Sequence, residues 1–387
     1  MKVRFGVIGV GNMGSVHCSL LGNMENAELT AVCDTDPAAF DRIKPEQRKA
    51  VRLYTDSETF FRESGVDVVV IAVPHYFHPD LAIRAMECGK NVIVEKPVAV
   101  HKAEAERLLR KAAEYPGLVK SAMFNQRTIP QHRKLKELID AGEFGRINRV
   151  NWIITDWFRT QAYYDSGDWR ASWRGEGGGV LLNQCPHQLD LMQWLFGLPV
   201  RVMAHVKFGK YHDIEVEDEV NAYLEYENGA VGNFIASTGE APGTNRLEIT
   251  AEKGRVVFEK GKISFLRNEV ETSVFLKTSK QGFSTPPCWE CEIPCEQGGV
   301  VQHQAILSNV ADVVAGKEKK LLAPLEEGIR GLELGNAMML SGWLERMVTL
   351  PIDSSLYAEM LAERVKSSRY RKKETVKLAG NDFGGSF

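Results

Sequence analysis

Three glycines close to the N-terminus have the spacing of a phosphate-binding turn. Gly9, Gly11 and Gly14 form the pattern G-x-G-x-x-G directly after an apolar, β-branched run and at the start of a helical pattern. In that context the first glycine makes a tight turn, the second lets the backbone approach a pyrophosphate, and the third lets the helix pack on the strand. The motif, with Asn12 and Met13 inside it, therefore predicts a dinucleotide site at a helix N-terminus.

An acidic residue follows the second predicted strand. Asp34 comes directly after Leu29–Cys33 and lies 20 residues beyond Gly14. A carboxylate at this place accepts hydrogen bonds from the adenosine ribose of NAD and repels the 2′-phosphate of NADP. We therefore expect NAD, with NADP disfavoured. The alternative is that Asp34 only caps a helix.

A lysine stands at the end of another predicted parallel strand. Asn91–Val94 is followed by Glu95, Lys96 and Pro97, and the proline forces the residue before it into an extended conformation. Ligands of open α/β sheets bind at the carboxyl ends of the strands. Beside a positively charged nicotinamide, and partly desolvated, the lysine would favour its neutral form, as a general base must. From position alone, the alternative is a surface lysine that ends a strand.

A histidine segment is the second group of residues that suits chemistry. Asn183 and His187 are four positions apart, so one helical face could present both. Pro186 breaks or kinks a helix unless it lies in the first turn, so the alternative is a pair that straddles a kink. A histidine in an apolar helix is also often a core residue, and that reading stays open.

Aromatic residues are concentrated just before this segment. Four of the seven tryptophans lie between 152 and 173, with tyrosines and arginines among them. Aromatic faces with interleaved polar groups suit a ring that has apolar C–H faces and equatorial hydroxyls. We expect about half of these aromatics to be structural and the others to bind substrate, and the arginines leave open a substrate carboxylate or phosphate. The candidate contacts are Trp157, Arg159, Tyr163, Trp173 and Arg174.

The elements that must position these residues change character near residue 125. Over 1–124, continuous apolar strands alternate with helical patterns, which predicts a Rossmann domain, a doubly wound parallel sheet. Beyond it, Asn228-Gly229 between two alternating runs is a hairpin signal, and Lys253-Gly254 and Lys260-Gly261 repeat it. We therefore predict an α/β chain with a dinucleotide-binding domain over 1–124. A substrate-binding α+β domain with an open-faced, mainly antiparallel sheet, C-terminal helices and a tail is predicted over 125–387.

An open sheet face requires cover, so we expect a homo-oligomer, a dimer or a tetramer, formed through that face. A monomer in sedimentation at micromolar concentration would contradict this.

The 387 residues carry a net charge of −3, which argues against a nucleic-acid partner. The short basic run from Lys366 to Lys373 is interpreted as a solvated surface. No apolar stretch reaches the roughly 18 residues of a membrane span, and no signal peptide is evident, so a cytoplasmic location is expected.

Three cysteines form a C-x2-C-x3-C pattern. Cys288, Cys291 and Cys295 have only loosely the spacing of a metal site, and no second C-x2-C accompanies them. We therefore expect no bound metal and a loop near the mouth of the active site. The alternative is a structural zinc with His303 as the fourth ligand.

Taken together, these motifs resemble the Gfo/Idh/MocA family (glucose-fructose oxidoreductase, inositol dehydrogenase and rhizopine-catabolism oxidoreductase) over nearly the whole chain. The matching segments are the glycine motif, Val73-Pro74 with His78, the pattern A-x-x-x-G-K-x-V-x-x-E-K-P ending at Pro97, and 177–190. The resemblance implies a Rossmann domain, an open-faced sheet, and a lysine, here Lys96, close to the reacting carbon and the nicotinamide. It also implies that Pro74, His78 and Glu95 contact the cofactor; Gln126, just after the last Rossmann strand, is expected nearby.

The family pattern places an acid/base or substrate-binding histidine at His187, usually with an aspartate four residues earlier. This chain has Asn183 there, which cannot take a proton but can hydrogen-bond a hydroxyl, so proton transfer is expected to fall to Lys96 and His187. The resemblance thus implies an enzyme, an NAD-dependent dehydrogenase that oxidises a secondary hydroxyl of a sugar, glycoside or cyclitol. Two alternatives stay open: an NAD-dependent glycosidase that oxidises C3 transiently, and a non-catalytic dinucleotide-binding regulator similar to a galactose-regulon corepressor.

Overall fold

The computed structural model describes residues 2–167, 169–296 and 298–368. The chain forms two compact units. The first consists of Met1–Ile129, Gly299–Leu332 and Ser354–Glu359. The second consists of Pro130–Gly298, Glu333–Asp353 and, within the described residues, 360–368. Of the basic run at 366–373, the residues from 369 onward lie outside the described ranges.

The first unit is built on the predicted parallel sheet. Its six strands have the order β3-β2-β1-β4-β5-β6 and every neighbouring pair is parallel. All four residues of β4 are buried although successive side chains point to opposite faces, so both faces of the sheet are covered. The strands are β1 Val3–Ile8, β2 Ala27–Cys33, β3 Arg52–Tyr54, β4 Val68–Ile71, β5 Asn91–Val94 and β6 Lys120–Ala122. The helices are α1 Asn12–Leu21, α2 Pro45–Ala50, α3 Ser57–Glu63, α4 His78–Glu87 and α5 Lys102–Ala113.

The second unit contains a nine-stranded sheet in the order β14-β13-β12-β11-β7-β10-β9-β8-β15. Among these neighbours only β7 and β10 run parallel, so the sheet is mainly antiparallel as predicted. The helices are α6 Pro130–Asp140, α7 Gln161–Asp165, α8 Pro186–Phe196 and α9 Thr272–Thr278. The strands are β7 Ile147–Ile154, β8 Arg201–Phe208, β9 Glu217–Glu225, β10 Val231–Ser237, β11 Asn245–Ala251, β12 Gly254–Glu259, β13 Lys262–Asn268, β14 Cys288–Ile293 and β15 Val348–Thr349.

The three predicted hairpin turns are confirmed. Asn228-Gly229 joins β9 to β10, and Gly229 has a φ of +82°, the left-handed conformation that such a tight turn requires. The turns at Lys253-Gly254 and Lys260-Gly261 join β11 to β12 and β12 to β13.

The two faces of this sheet differ in burial and charge. On β10, Gly232, Phe234 and Ala236 are buried, while Val231, Asn233 and Ile235 between them are half-exposed. Elsewhere, charged residues of β11 to β14, among them Arg246, Glu259 and Glu290, line a groove of about 310 Å³. Self-association through the open face stays a prediction.

The segment Gly299–Leu332 clusters with the first unit, although the sequence assigned it to the second domain. The backbone N–H of Ala122, at the end of β6, donates to the carbonyl of Ala323 at 2.9 Å, and the hydroxyl of Ser121 donates to the same oxygen at 2.8 Å. The segment therefore extends the edge of the parallel sheet. The remaining helices are α10 Gln302–Val314, α11 Gly328–Leu344 and α12 Ser354–Ser367. Within the described ranges, none of the helices is long and apolar enough to cross a bilayer.

Candidate active site

The glycine turn has the shape of a phosphate cradle. Gly9 has a φ of +87°, and a Cβ there would lie 2.5 Å from the carbonyl oxygen of Ala72. A Cβ at Gly14 would lie 1.8 Å from the carbonyl oxygen of Gly9, so helix and turn are in direct backbone contact. At Gly11, which precedes α1, no described atom would lie within 4 Å of a Cβ and no side chain caps the helix. The N–H groups at this helix end therefore suit a pyrophosphate.

Asp34 ties the end of β2 to the glycine turn. One of its carboxylate oxygens accepts from the N–H of Val10 at 2.6 Å, and the other accepts from the N–H of Asp36 at 2.9 Å. The helix cap that we considered for Asp34 belongs to Asp36 instead, whose side chain accepts from the N–H of Ala38 at 2.9 Å. Each oxygen of Asp34 keeps a second lone pair, so a ribose hydroxyl can still bind there.

Lys96 follows β5 and is half-buried, and its peptide bond to Pro97 is cis. The preceding Glu95 is buried and turns into the protein. One of its oxygens accepts from Nε2 of His17 at 2.7 Å, and the other accepts from the N–H of Lys96 at 3.1 Å. We therefore revise the predicted cofactor contact of Glu95: its carboxylate supports the backbone at Lys96.

A buried polar network that the sequence did not reveal surrounds this carboxylate. The rings of His17 and His303 have centroids 5.6 Å apart, and Nδ2 of Asn125 lies 3.1 Å from Nδ1 of His303. Burial opposes ionisation of Glu95, but the hydrogen bond and charge of His17 outweigh it and lower the pKa of Glu95 to about 2. Burial lowers the pKa of His303 to about 4. The site thus contains an ionised glutamate and a neutral His303.

His78 was expected at the cofactor, and the structure gives it a different role. It is 1% exposed, and its two ring nitrogens lie 2.7 Å from the carbonyl oxygen of Pro97 and 2.8 Å from that of Val73. It therefore joins the loops that follow β4 and β5. Pro74 in the first of these loops, and Gln126 in the turn after β6, are half-buried, and their cofactor contacts stay predictions.

In the second unit, the three consecutive glycines Gly177, Gly178 and Gly179 let the chain pass directly against β9. A Cβ at Gly179 would lie 2.0 Å from the carbonyl oxygen of Glu217. The N–H groups of Gly179 and Leu181 donate to the Glu217 carboxylate at 2.8 and 3.0 Å. Burial, opposed by these bonds, raises the pKa of Glu217 to about 7. This buried carboxyl therefore supports the turn that carries Asn183.

Asn183 and His187 do not share one helix. Asn183 lies in a single π-helical turn, Val180–Gln184, and His187 is the second residue of α8, which begins at Pro186. The proline thus occupies a first turn, and the pair straddles the junction. Asn183 is half-buried, and its Nδ2 donates to the carboxylate of Glu176; His187 is 6% exposed.

The predicted aromatic platform is a stack of rings and guanidinium groups. The guanidinium carbon of Arg159 lies 5.3 Å from the ring centroid of Trp157 and 5.0 Å from that of Tyr163. That of Arg170 lies 4.6 Å from the ring centroid of Tyr163 and 4.5 Å from that of Trp169. Cation–π contacts hold the arginine side chains against the rings.

Trp173 packs inside the second unit. It is 7% exposed, and its ring lies 5.7 Å from that of Phe208 and 5.9 Å from that of Trp343. We therefore revise its predicted substrate contact, because its large apolar surface is used in the core. Arg174, the next residue, is exposed.

The cysteine segment is an edge strand, and the predicted loop near the active-site mouth is wrong. β14 continues the meander by pairing with β13, from Ile293 opposite Ile263 to Cys288 opposite Asn268. Cys288 and Cys291 point to opposite faces, because side chains alternate along a strand. Within the described residues, no group of three or more His, Cys, Asp or Glu side chains is placed to hold a metal ion.

A histidine clamp fixes the chain next to the aromatic stack. Nδ1 of His212 lies 3.0 Å from a carboxylate oxygen of Asp218, and Nε2 lies 2.9 Å from the carbonyl oxygen of Arg159. Burial disfavours the charged ring, but the bonds to Asp218 and Arg159 outweigh it and raise the pKa of His212. The charged imidazolium can donate to both partners, whereas the neutral ring donates to one.

We expect this clamp to make stability depend on pH. Because the folded pKa of His212 is raised, its contribution is fully present below the unfolded value of about 6.5 and is lost as pH rises through the folded value. The unfolding temperature of the wild type should fall by about 1–2 °C more than that of a His212→Gln variant between about pH 6 and pH 8, in calorimetric scans. Equal pH slopes for the two proteins would contradict the clamp.

Comparisons with known proteins agree with this arrangement. The profile of an oxidoreductase family with an NAD-binding Rossmann fold matches residues 3–122, and that of the GFO/IDH/MocA C-terminal domain matches residues 132–257. The chain is 26% identical to the inositol 2-dehydrogenase of Rhizobium meliloti over 87% of this chain and 92% of that protein. It is 26% identical to the NAD(+)-dependent scyllo-inositol 2-dehydrogenase of Bacillus subtilis over 66% of this chain and 73% of that protein.

A solved structure extends the similarity to both units. The WlbA dehydrogenase of Bordetella pertussis, in complex with NADH and UDP-GlcNAcA, superposes with a TM-score of 0.75 at 26% identity. The superposition covers 91% of this chain and 100% of that one.

Proposed function

The chain belongs to the Gfo/Idh/MocA family of NAD-binding oxidoreductases, and we propose that it oxidises a secondary hydroxyl of a sugar, glycoside or cyclitol. The observation that carries the proposal is the position of Lys96. It follows β5, which is separated by β4 from β1, the strand that leads into the glycine cradle. An amine and a phosphate cradle therefore lie at the carboxyl edge of one parallel sheet, where such sheets bind ligands.

The residues then have the following roles. NAD, when bound, supplies the acceptor for the hydride that leaves the substrate carbon. Lys96 takes the proton of the substrate hydroxyl, and His187 assists as an acid/base group or binds the substrate. Asn183 hydrogen-bonds a substrate hydroxyl, and the stack of Trp157, Arg159 and Tyr163 contacts the apolar face of the ring. Exposed Arg174 is available to a substrate carboxylate.

The experiment is a screen of NAD reduction, followed by absorbance of NADH. The panel contains inositols, monosaccharides, glycosides and sugar acids, because relatives are named as inositol dehydrogenases. UDP-linked hexosamine acids are added, since the Bordetella structure contains one. We expect one class to give NADH and ketone in equal amounts. Glycoside cleavage without net NADH would favour the glycosidase cycle, and NAD binding without turnover of any compound would favour a regulator.

Cofactor preference tests the role of Asp34. Its carboxylate, fixed by Val10 and Asp36, would face the 2′-phosphate of NADP. Since like charges brought together cost several kcal/mol, kcat/KM should favour NAD by roughly 100-fold or more. An Asp34→Ser variant should lose most of this preference, whereas Asp36→Ser should keep it. Equal use of NAD and NADP by the wild type would refute the assignment.

We also propose a homo-oligomer, formed through the open face of the nine-stranded sheet. It rests on the argument that an open sheet face requires cover; charged residues of both signs line the groove on β11 to β14, and such residues can form ion pairs across an interface. The cytoplasmic location stays a prediction from the sequence.

A further inference from the structure

Glu176 is an acidic side chain for which the sequence predicted no role. It is 1% exposed and directly precedes the three glycines. One carboxylate oxygen accepts from the N–H of Ala171 at 2.7 Å, and the N–H of Glu176 donates to the carbonyl of Ser172 at 2.9 Å. Ala171 has a φ of +61°, which is unusual for a residue with a Cβ. The turn at 171–176 and the carboxylate therefore hold each other in place.

The other carboxylate oxygen of Glu176 accepts from Nδ2 of Asn183. Both carboxylate oxygens of Glu176 thus accept hydrogen bonds, so the amide of Asn183 presents its nitrogen to Glu176. The amide oxygen is then directed away from Glu176. Residue 183 consequently presents an acceptor on its far side and has no proton to exchange there.

The charges around this pair explain why residue 183 is better neutral. Nη1 of Arg170 lies 4.0 Å from the carboxylate of Glu176 and donates to the hydroxyl of Tyr163 at 2.7 Å. Glu217 lies close enough that Glu176 contributes to its raised pKa, and Glu176 likewise contributes to the raised pKa of Tyr164. A further carboxylate at 183 would contact Glu176 directly and be repelled by it.

We propose that Glu176 is a positioning residue: it locks the Asn183 amide so that the amide oxygen faces away from Glu176, the orientation in which this oxygen can accept from a substrate hydroxyl. The carboxyl group of this part of the site thus lies at 176, behind the residue that meets the substrate. The proposal rests on the proposed function for the statement that Asn183 meets a substrate; the lock itself does not depend on it.

Three variants test the lock: Glu176→Gln, Asn183→Asp and the double variant. A glutamine at 176 can donate as well as accept, so the Asn183 amide loses its fixed orientation. For the substrate found in the screen, KM should rise roughly 10-fold, the scale of one hydrogen bond, while NAD affinity is unchanged. In Asn183→Asp, two carboxyls share a proton, so kcat/KM should gain a new fall as pH rises through the apparent pKa of the pair. In the double variant the amide at 176 donates to the carboxylate at 183, so the hydrogen bond is restored in the opposite direction. This variant should lose the extra pH dependence.

The matched control is Glu225→Gln, which removes the charge of a half-buried glutamate that forms an ion pair with Arg201. This variant should behave like the wild type. A residue that only stabilised the turn would lower the unfolding temperature but leave KM and the pH profile of the folded enzyme unchanged. A wild-type KM in Glu176→Gln together with a wild-type pH profile in Asn183→Asp overturns the proposal.

Failure of the proposed dehydrogenase function can be distinguished from failure of the Glu176–Asn183 lock. If the wild type reduces NAD with no compound, the lock is read from thermal unfolding with NAD bound. Asn183→Asp should then lose more stability, relative to wild type, at about pH 8 than at about pH 6, and the double variant should not. Equal losses at both pH values overturn the lock.

Discussion

Replacing Lys96 by methionine should lower kcat at least about 100-fold and leave NAD affinity within about twofold. The lower limit is the usual scale of general acid–base catalysis. Methionine keeps an unbranched side chain of similar length, so the local packing at the end of β5 should change little. The measurements are steady-state turnover and titration of NAD binding.

The structure gives this prediction a physical basis. The backbone at Lys96 is held by Glu95, whose pKa is lowered to about 2, so this support stays ionised across the working pH range. The amine is therefore presented by a fixed backbone, and its loss should affect proton transfer more than folding.

The matched control is Lys111→Met on α5, which removes an ion pair with Glu114 just beyond the helix and should keep full turnover. Near-normal turnover of Lys96→Met would remove Lys96 from the role of base. A parallel loss of NAD affinity would instead indicate that Lys96 mainly binds the cofactor.

Features encoded in short stretches of sequence were predictable. The glycine turn and the hairpin at Asn228-Gly229 depend on backbone conformations that only a few residues adopt, and β5, which precedes Lys96, is marked by its β-branched residues. Their residue types therefore carried the information. The same holds for Pro186, whose missing N–H is tolerated at the start of α8.

Features that depend on distant partners were not predictable in this way. The pairing of His17 with Glu95 spans 78 positions, and Asn125 meets His303 across 178. No local pattern marks such contacts. Trp173 is a residue for which the sequence predicted a role that the structure does not support. A tryptophan suits a binding platform and a core equally well, and only its neighbours decide between them.

Substitutions of the second and third glycines of the motif, Gly11 and Gly14, should separate cofactor binding from folding. A Cβ at Gly14 would lie 1.8 Å from the carbonyl oxygen of Gly9, and both partners are backbone, so neither can rotate away. Gly14→Ala should therefore lower the free energy of unfolding by about 2–3 kcal/mol, the upper range for overpacking, and weaken NAD binding as the turn shifts. Chemical denaturation without NAD measures the first effect, and NAD titration measures the second.

Gly11→Ala should weaken NAD binding while leaving the free energy of unfolding nearly unchanged. Its φ of −70° suits any residue, and no described atom would lie within 4 Å of the new methyl group, so unfolding without NAD should change by less than about 0.5 kcal/mol. The methyl group would instead occupy the space into which a pyrophosphate approaches the backbone, so NAD affinity should fall by at least about 10-fold. Gly117→Ala, also in open space but outside the motif, should change neither quantity. If Gly11→Ala bound NAD as tightly as the wild type, the pyrophosphate would have to lie away from this turn, because a backbone approach at Gly11 leaves no room for a methyl group.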